Sequence, residues 1–417
     1  MPKINPDIEN FARIKVIGVG GSGKGAINHM IESRVKNVEF IAVNTDVQDL
    51  HNCLAERKIH IGKNFTKGLG AGMNPDVGKR SAEETKEEIQ NSVKGADMVF
   101  ITCGMGGGTG TGAAPTIAKI SKDEGVLTVA VTTKPFFFEG AQRMKIAEQG
   151  LAELEQNVDA LIVIPNDKLL AAVDKNTSLK DAFAMCDEVL KQAVEGISEL
   201  ISNSGIMNVD FADVRAVMQD SGTALMGVGR GAGENRAVEA AHAAINSPLL
   251  DVSIHGARGV LFAISGSDDL SLFEVQEAAK IITESVDKDA KIIFGAFKDD
   301  TLKKDEVKVT VIATGFPTIT GNKRTTPLFG GNMNASQIQS SMERPINRAP
   351  AVEPERREIN NVLPVADIET KKDTVANANH QTTSASSQKP QATDIVNVID
   401  EDTDDWGAVP AFLRRRK

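Results

Sequence analysis

The stretch "GVGGSGKG" at residues 18–25 carries two phosphate-binding spacings at once. Gly18, Gly20 and Gly23 fit the G-x-G-x-x-G of dinucleotide-binding turns, and Gly18 through Lys24 fit the G-x-x-x-x-G-K of a P-loop. A P-loop closes on Ser or Thr for magnesium, and Gly25 stands there instead, which counts against it. A dinucleotide site needs an acid roughly twenty residues further on for the ribose. Asp46 meets that requirement. The spacing of the first loop alone therefore leaves the choice open.

A second run, "CGMGGGTGTGAAP" at 103–115, narrows it. Five glycines and two threonines fall in the seven positions 106–112. Glycines let backbone N–H groups turn inward around an anion, and a following helix adds its dipole. Thr109 and Thr111 offer hydroxyl donors. Neither a dehydrogenase nor a P-loop enzyme needs a second loop of this kind. A tight strand–helix turn accounts for one or two glycines, not for this density. A third loop, "GLGAGMNPDVG" at 68–78, offers further N–H donors, although a mobile surface loop reads the same way.

Two acidic patterns also stand out. Glu139 and Arg143 lie four apart and share a helical face, which by itself describes an ordinary surface ion pair. In "NVDFADV", Asp210 and Asp213 lie three apart after Asn208, the usual look of a capped helix start with acid in its first turn.

The loops need strands and helices to hold them. "RIKVIGVG", "VEFIAVNTD", "ADMVFITCG", "GVLTVAVTT" and "DALIVIPND" are apolar runs that alternate with helical patterns. That alternation predicts a parallel sheet covered on both faces, with ligands at the carboxyl ends of its strands. Residues 177–202 predict one long helix, its apolar stripe running through Leu179, Phe183, Cys186, Leu190, Ala193, Ile197 and Leu200, with Thr177 or Ser178 as cap. Helices and strands from about 222 to 316 predict an α+β unit packed against that helix. From Pro317 to about 395 the chain is rich in Thr, Asn, Ser, Gln, Pro and Ala, which predicts a disordered linker reaching roughly 50 Å as a random coil. The last stretch, "DEDTDDWGAVPAFLRRRK", has acids, then scattered apolar residues, then bases, and reads as a peptide that folds on a partner.

The chain has 417 residues and a net charge of -10. That balance argues against nucleic acid as the main partner. The start shows no signal peptide, and no run approaches the ~20 apolar residues of a membrane span. Three widely spaced cysteines, Cys53, Cys103 and Cys186, lack zinc-ligand spacing and fit no disulfide framework, so a cytoplasmic setting is the simplest expectation.

"GGGTGTG" resembles the signature of the tubulin/FtsZ superfamily. "NTD", "GLGAG", "TKPFFFEG", "IVIPND", "NVDFADV", "SGTALMG" and "GENRA" resemble blocks of its FtsZ family, in family order, across residues 13–316. The terminal "VPAFLRR" is similar to the recognition peptide of that family.

The resemblance implies a GTPase of cell division that polymerises head to tail into the cytokinetic ring at mid-cell. It implies a parallel-sheet GTP-binding domain over 1–176, a connecting helix over 177–203, a C-terminal α+β domain over 204–316, a linker over 317–395 and a partner-binding peptide over 396–417. Phosphates would lie among Gly20, Gly21, Ser22, Gly23, Lys24 and Gly25 and the loop holding Gly104, Gly106, Gly107, Gly108, Thr109, Gly110 and Thr111. Ala71 and Gly72 would sense the terminal phosphate. Glu139 and Arg143 would hold the ribose and nearby phosphate, Asp46 and Pro135 would also belong to the GTP site, and Asn166, Phe183 and Asp187 would read guanine. Asn208, Asp210 and Asp213 would complete catalysis on the next subunit's GTP.

The implied cofactors are GTP/GDP and Mg2+ held mainly through the nucleotide, with K+ a candidate. No protein metal ligand is assigned. Pro410, Phe412, Leu413, Arg414 and Arg415 would engage membrane-tethering and regulatory division proteins, with no direct membrane insertion. The family commonly carries Asn where Gly25 stands, and Lys24 is also unusual. Two other readings stay open: a tubulin-like filament GTPase without a division role, and an NAD-dependent oxidoreductase using Gly18–Gly23 and Asp46.

Overall fold

The computed structural model describes residues 12–316 except 171–176, 203, 204, 206, 248–253, 268, 300 and 301. The linker at 317–395 and the peptide at 396–417, with Pro410, Phe412, Leu413, Arg414 and Arg415, lie outside the described residues.

The first strand, β1 (Ile14–Val19), is buried along its whole length, as a strand between two covered faces must be. Helix α1 (Gly20–Glu32) follows at once, then β2 (Val38–Asn44), α2 (Val47–His51), β3 (Arg57–His60), α3 (Lys63–Thr66), α4 (Pro75–Glu84) and α5 (Lys86–Val93). Strand β4 (Met98–Gly104) leads into α6 (Thr109–Asp123), and β5 (Leu127–Lys134) leads through a 3-10 turn at Phe137–Glu139 into α7 (Ala141–Glu155). Strand β6 (Ala160–Pro165) and α8 (Asn166–Leu170) end this half.

These six strands run parallel in the order β3-β2-β1-β4-β5-β6. Successive β1 side chains serve opposite faces. Val16 joins a cluster with Ile27 and Met30 of α1, whereas Ile17 joins another with Ile117 and Ala118 of α6. Lys15, on the same strand, is buried only because its Nζ donates to Ser92 O at 2.8 Å and pairs with Glu39 at 3.1 Å.

The long helix is α9 (Leu179–Ser202). Ser178 accepts from Asp181 N at 3.2 Å and supplies the cap. The apolar stripe is buried from Cys186 to Leu200, but Leu179 and Phe183 at its start are exposed. In its first turns the helix enters the core through Ala182 rather than through the stripe.

Beyond α10 (Phe211–Met218) come β7 (Gly222–Ala232), α11 (Arg236–Ile245), β8 (Gly259–Gly266), α12 (Leu272–Glu284), β9 (Lys291–Lys298) and β10 (Glu306–Thr314). Their strands do not form a sheet of their own. β7 pairs in parallel with β6 through Ala160↔Gly222, Leu161↔Thr223 and Ile162↔Ala224, so ten strands make one sheet ending β6-β7-β10-β8-β9. β7 does not read as a strand in the sequence because its glycines depress strand propensity. Gly227, Gly229 and Gly231 share one face, and a Cβ at Gly229 would meet Ala240 O at 2.1 Å. The alternating glycines let the alanine face of α11 settle on the strand backbone.

Arg236 opens α11 and is buried. Its Nε donates to Glu274 at 2.6 Å and its Nη1 to Asp269 at 2.8 Å, tying α11 to the start of α12. Among the described residues no helix is long and apolar enough to cross a membrane. All three cysteines are free and buried, and burial pushes the thiols of Cys103 and Cys186 up to about 12.

Candidate functional site

The strand order reverses between β1 and β4, and open parallel sheets bind ligands at such a point. Both glycine loops leave the sheet there, the first from β1 into α1 and the second from β4 into α6. Helix α1 has no side-chain N-cap and no acid in its first turn, and α6 has neither as well. Two helix N-termini therefore present uncapped N–H groups, the arrangement that suits a polyanion.

The loops touch. Gly20 has φ +74°, and a Cβ there would stand 3.2 Å from Gly110 N. A Cβ on Gly108 would stand 2.8 Å from Ala71 Cβ and 2.9 Å from Asn74 N. One on Gly104 would meet Ser22 Oγ at 2.7 Å. The third loop is fastened to the end of β2 by an isolated bridge, Asp46↔Leu69, and Asn74 caps α4. Gly72 has φ +58° and no neighbour within 4 Å of an added Cβ, so it lies open. Around Gly107 nothing lies within 4 Å of an added Cβ either.

Several side chains expected at the nucleotide hydrogen-bond within the loops. Thr111 is buried, and its hydroxyl accepts from Gly106 N at 2.9 Å. Thr109 shares a hydrogen bond with Thr45 at 2.6 Å. Asp46 caps α2 by accepting from Asp49 N at 3.0 Å. Lys24 pairs with Asp49, a residue that the sequence reading missed; its carboxylate also accepts from Asn44 at 2.7 Å. Asp49 lies in no glycine loop and only three residues past the Asp46 cap, so spacing gave no reason to single it out.

A second group of residues gathers around the end of β6 and the second loop. Asn166 opens α8 at the end of β6; it is buried, and its Oδ1 has no partner among the described residues. Glu139 pairs with Arg143 at 3.0 Å and also accepts from Phe136 N at 2.9 Å. Arg143 packs against the second loop, since a Cβ on Gly106 would meet its Cγ at 2.8 Å, and its buried Nε lacks a partner among the described residues. Two unpartnered buried polar atoms are a cost that a polar ligand would offset.

Phe183 is 43 % exposed and meets buried Phe136 edge to face at 5.3 Å. One turn on, Asp187 lies against α1: a Cβ on Gly25 would be 3.3 Å from its Oδ2. Burial pushes the Asp187 carboxyl up to about 6, against the charge of His29. His29 itself bonds the next residue, Glu188, at 2.8 Å. Burial also raises Glu188, but its bonds with His29, Lys191 and Gln192 outweigh that and hold it low. An aromatic ring beside a partly buried carboxylate can stack on a base and accept two N–H donors from its edge. A base presenting only one donor there would leave the carboxylate half satisfied.

Asn208, Asp210 and Asp213 stand elsewhere, past the other end of α9. At 1.5 Å per residue, that helix spans about 36 Å. Asn208 accepts from Gly205 N at 2.7 Å, and Asp210 caps α10 by accepting from Ala212 N at 3.1 Å. Asp213 lies in the first turn of α10, and all three residues are exposed. Among the described residues no group of three or more His, Cys, Asp or Glu is placed to hold a metal ion.

Residues 13–174 match the Tubulin/FtsZ family GTPase domain, and residues 222–317 match the FtsZ family C-terminal domain. An empty FtsZ dimer from M. jannaschii is similar at 49 % identity and a TM-score of 0.70, covering 73 % of this chain and 88 % of that one. A point mutant of M. jannaschii FtsZ is similar at 48 % identity with the same TM-score of 0.70, covering 73 % and 92 %. CetZ2 of Haloferax volcanii, in a GTPgS-bound protofilament, shares the fold at 22 % identity and a TM-score of 0.63, covering 73 % and 94 %. Family matches over both halves and 49 % identity across 73 % of the chain show that the chain, with its two glycine loops meeting at one switch point, belongs to the FtsZ family of tubulin-like GTPases.

Proposed function

We propose that this GTPase assembles head to tail into filaments of the cytokinetic ring and hydrolyses GTP only where two subunits meet. The observation that carries the reading is the position of Asp210 and Asp213. They are exposed carboxylates beyond a helix of 24 residues, far from the phosphate loops of their own chain. Beside those loops, among the described residues, Asp46 caps α2, Asp49 is paired with Lys24 and Glu139 with Arg143, and Asp187 lies against Gly25 on the side read here as the base side. A head-to-tail contact would bring the acids of one subunit to the γ-phosphate of the next. Such a contact does not close on itself, so filaments follow. The dimer of the M. jannaschii relative supports self-association.

In this reading the N–H groups of Gly20–Gly23 and of Gly107–Gly110 hold the phosphates. Ala71 and Gly72 report the terminal one to the subunit contact. Glu139 and Arg143 hold the ribose side, while Asn166, Phe183 and Asp187 read guanine. Hydrolysis needs an oriented water and neutralised phosphate charge. Asp210 and Asp213 polarise that water, and Asn208 shapes the turn that presents them. Mg2+ would arrive on the nucleotide and supply charge neutralisation there, with K+ a further candidate at the contact. The terminal peptide would bring the filament to membrane-tethering partners at mid-cell.

The test is GTP turnover per subunit across a wide concentration range. Turnover that is near zero when dilute and rises past a threshold is expected. D213A subunits, which keep their GTP site, should be inactive alone. They should regain turnover when mixed with D187A subunits that keep the acids but bind GTP poorly. Constant turnover at every dilution would sink the shared site.

A further inference from the structure

We infer that Asp49 is a latent repulsive charge at the phosphate loop and that Lys24 is present to mask it, so that the pair sets how tightly this chain holds a polyphosphate. The inference rests on the guanine-nucleotide reading of the site and deepens it.

The first loop has no need of a lysine. Helix α1 begins without a side-chain cap and without an acid in its first turn, so its N–H groups are available to an anion. Asp49 works against that. It sits on α2, and a Cβ on Gly21 would lie 3.4 Å from its Oδ2, which puts the carboxylate against the loop that receives phosphate. Its orientation is fixed, because Oδ2 accepts from Asn44 Nδ2 at 2.7 Å and its backbone N–H is held by the Asp46 cap. A fixed carboxylate beside bound phosphate is a like-charge contact, and such contacts at partly buried sites are screened poorly by salt.

Lys24 removes the conflict. It stands four residues after Gly20 on α1, and helical side chains lean toward the N-terminus, so it reaches back along the loop. Its ammonium pairs with Asp49 Oδ1, and each side chain is about three-quarters buried, at 24 % exposure. The pair adds no net charge. Held this way, Lys24 neutralises the carboxylate. Its role is therefore positioning and masking rather than direct contact with phosphate.

The measurement is the dissociation constant of GDP, and of guanosine, for the whole chain, by competition with a fluorescent guanine nucleotide. Wild type, K24M, K24R, D49N and K24M/D49N would be compared, each with a thermal melt. Guanosine carries the base and ribose without phosphate, so the GDP-to-guanosine ratio isolates the phosphate end. K24M should weaken GDP by about tenfold or more, the effect of unmasking one like charge near a polyanion, while guanosine holds steady. K24R should stay within about threefold of wild type, because it keeps the charge. D49N should bind GDP more tightly than wild type. K24M/D49N, neutral at both positions, should return to within about threefold of wild type.

A double variant as weak as K24M would overturn the masking role and make Lys24 a phosphate ligand. An unchanged GDP-to-guanosine ratio in K24M and D49N would overturn it in favour of a purely structural pair. Wild type that binds no GDP would remove the guanine-nucleotide reading and the inference together, whereas the other two failures leave that reading intact.

Discussion

Gly108 and Ala71 are in contact across two loops: a Cβ added at Gly108 would lie 2.8 Å from the Cβ of Ala71. The second and third loops are therefore packed together before any nucleotide arrives. G108A must push them apart. It is expected to lower stability by about 2 kcal/mol, the usual cost of forcing an extra methyl into a filled space, and to weaken GTP binding. G107A is the control for stability, because an added Cβ there meets nothing within 4 Å. Thermal melts of the two variants check the contrast; equal melting temperatures would refute it.

Asp187 makes the stability of the protein depend on pH. Its carboxyl keeps a proton up to about pH 6 in the folded chain because burial disfavours the charge. Unfolded, it releases that proton near about 3.9. Between those values the folded state binds more protons, so the stability of the nucleotide-free protein falls as pH rises through the window. The full shift corresponds to at most about 3 kcal/mol, reduced by partial exposure. D187N should remove this slope and raise the melting temperature of the nucleotide-free protein at about pH 7.5. If Asp187 reads guanine as proposed, the same change weakens GTP by about tenfold to a hundredfold, through loss of a charged acceptor. Urea titrations from about pH 4.5 to 7.5, with and without nucleotide, measure both.

Phe183 is partly exposed where the rest of its stripe is buried from Cys186 onward. F183A should therefore leave stability nearly unchanged. If the ring stacks on the base, the variant loses about 1–3 kcal/mol of GTP affinity, by the measure of other base–aromatic stacks. Calorimetric titration with GDP reads the loss. A large fall in melting temperature with unaltered affinity would assign Phe183 to packing instead.

Arg236 pairs with three carboxylates, Asp269, Glu274 and, more loosely at 3.8 Å, Asp305, and hydrogen bonds from Ser267 and from Arg236 draw the Asp269 carboxyl down to about 2. Glu274 is lowered too, first by its bond to Arg236 and against its desolvation. The clamp's stabilisation is complete above the ordinary carboxylate pKa of about 4 and fades as pH falls toward about 2. R236M should cost about 2 kcal/mol at pH 7, by stranding carboxylates around a site from which the cation is gone. The gap between wild type and R236M should narrow in acid, which urea titrations at about pH 7 and pH 3 would reveal.

Much of this was legible in the chain. The runs read as strands at 13–20 and 159–167 are β1 and β6, and the 177–202 helix is α9 capped by Ser178. Local pattern sufficed there, since apolar runs and a long stripe declare themselves. The glycine loops were also visible, because their density has no bland explanation. What stayed hidden was non-local. Nothing near Gly222 says that it pairs with Ala160, and the glycines of β7 mask a strand. Lys24 and Asp49 lie 25 residues apart, and only the fold shows that they are neighbours. Only the fold shows that the Thr111 hydroxyl accepts from Gly106 N.

The junction of β6 with β7 rests on three residue pairs, against seven for β4 with β5. A ladder with so few rungs is the place where a pulled sheet parts first. Backbone amides at 222–224 are expected to exchange with deuterium sooner than those at 129–133, despite lying in one continuous sheet. Under load along a filament, tension between the nucleotide half and the acid-bearing half would then be carried mainly by side-chain packing around α9. Strain at that seam would be felt at both ends of the same helix.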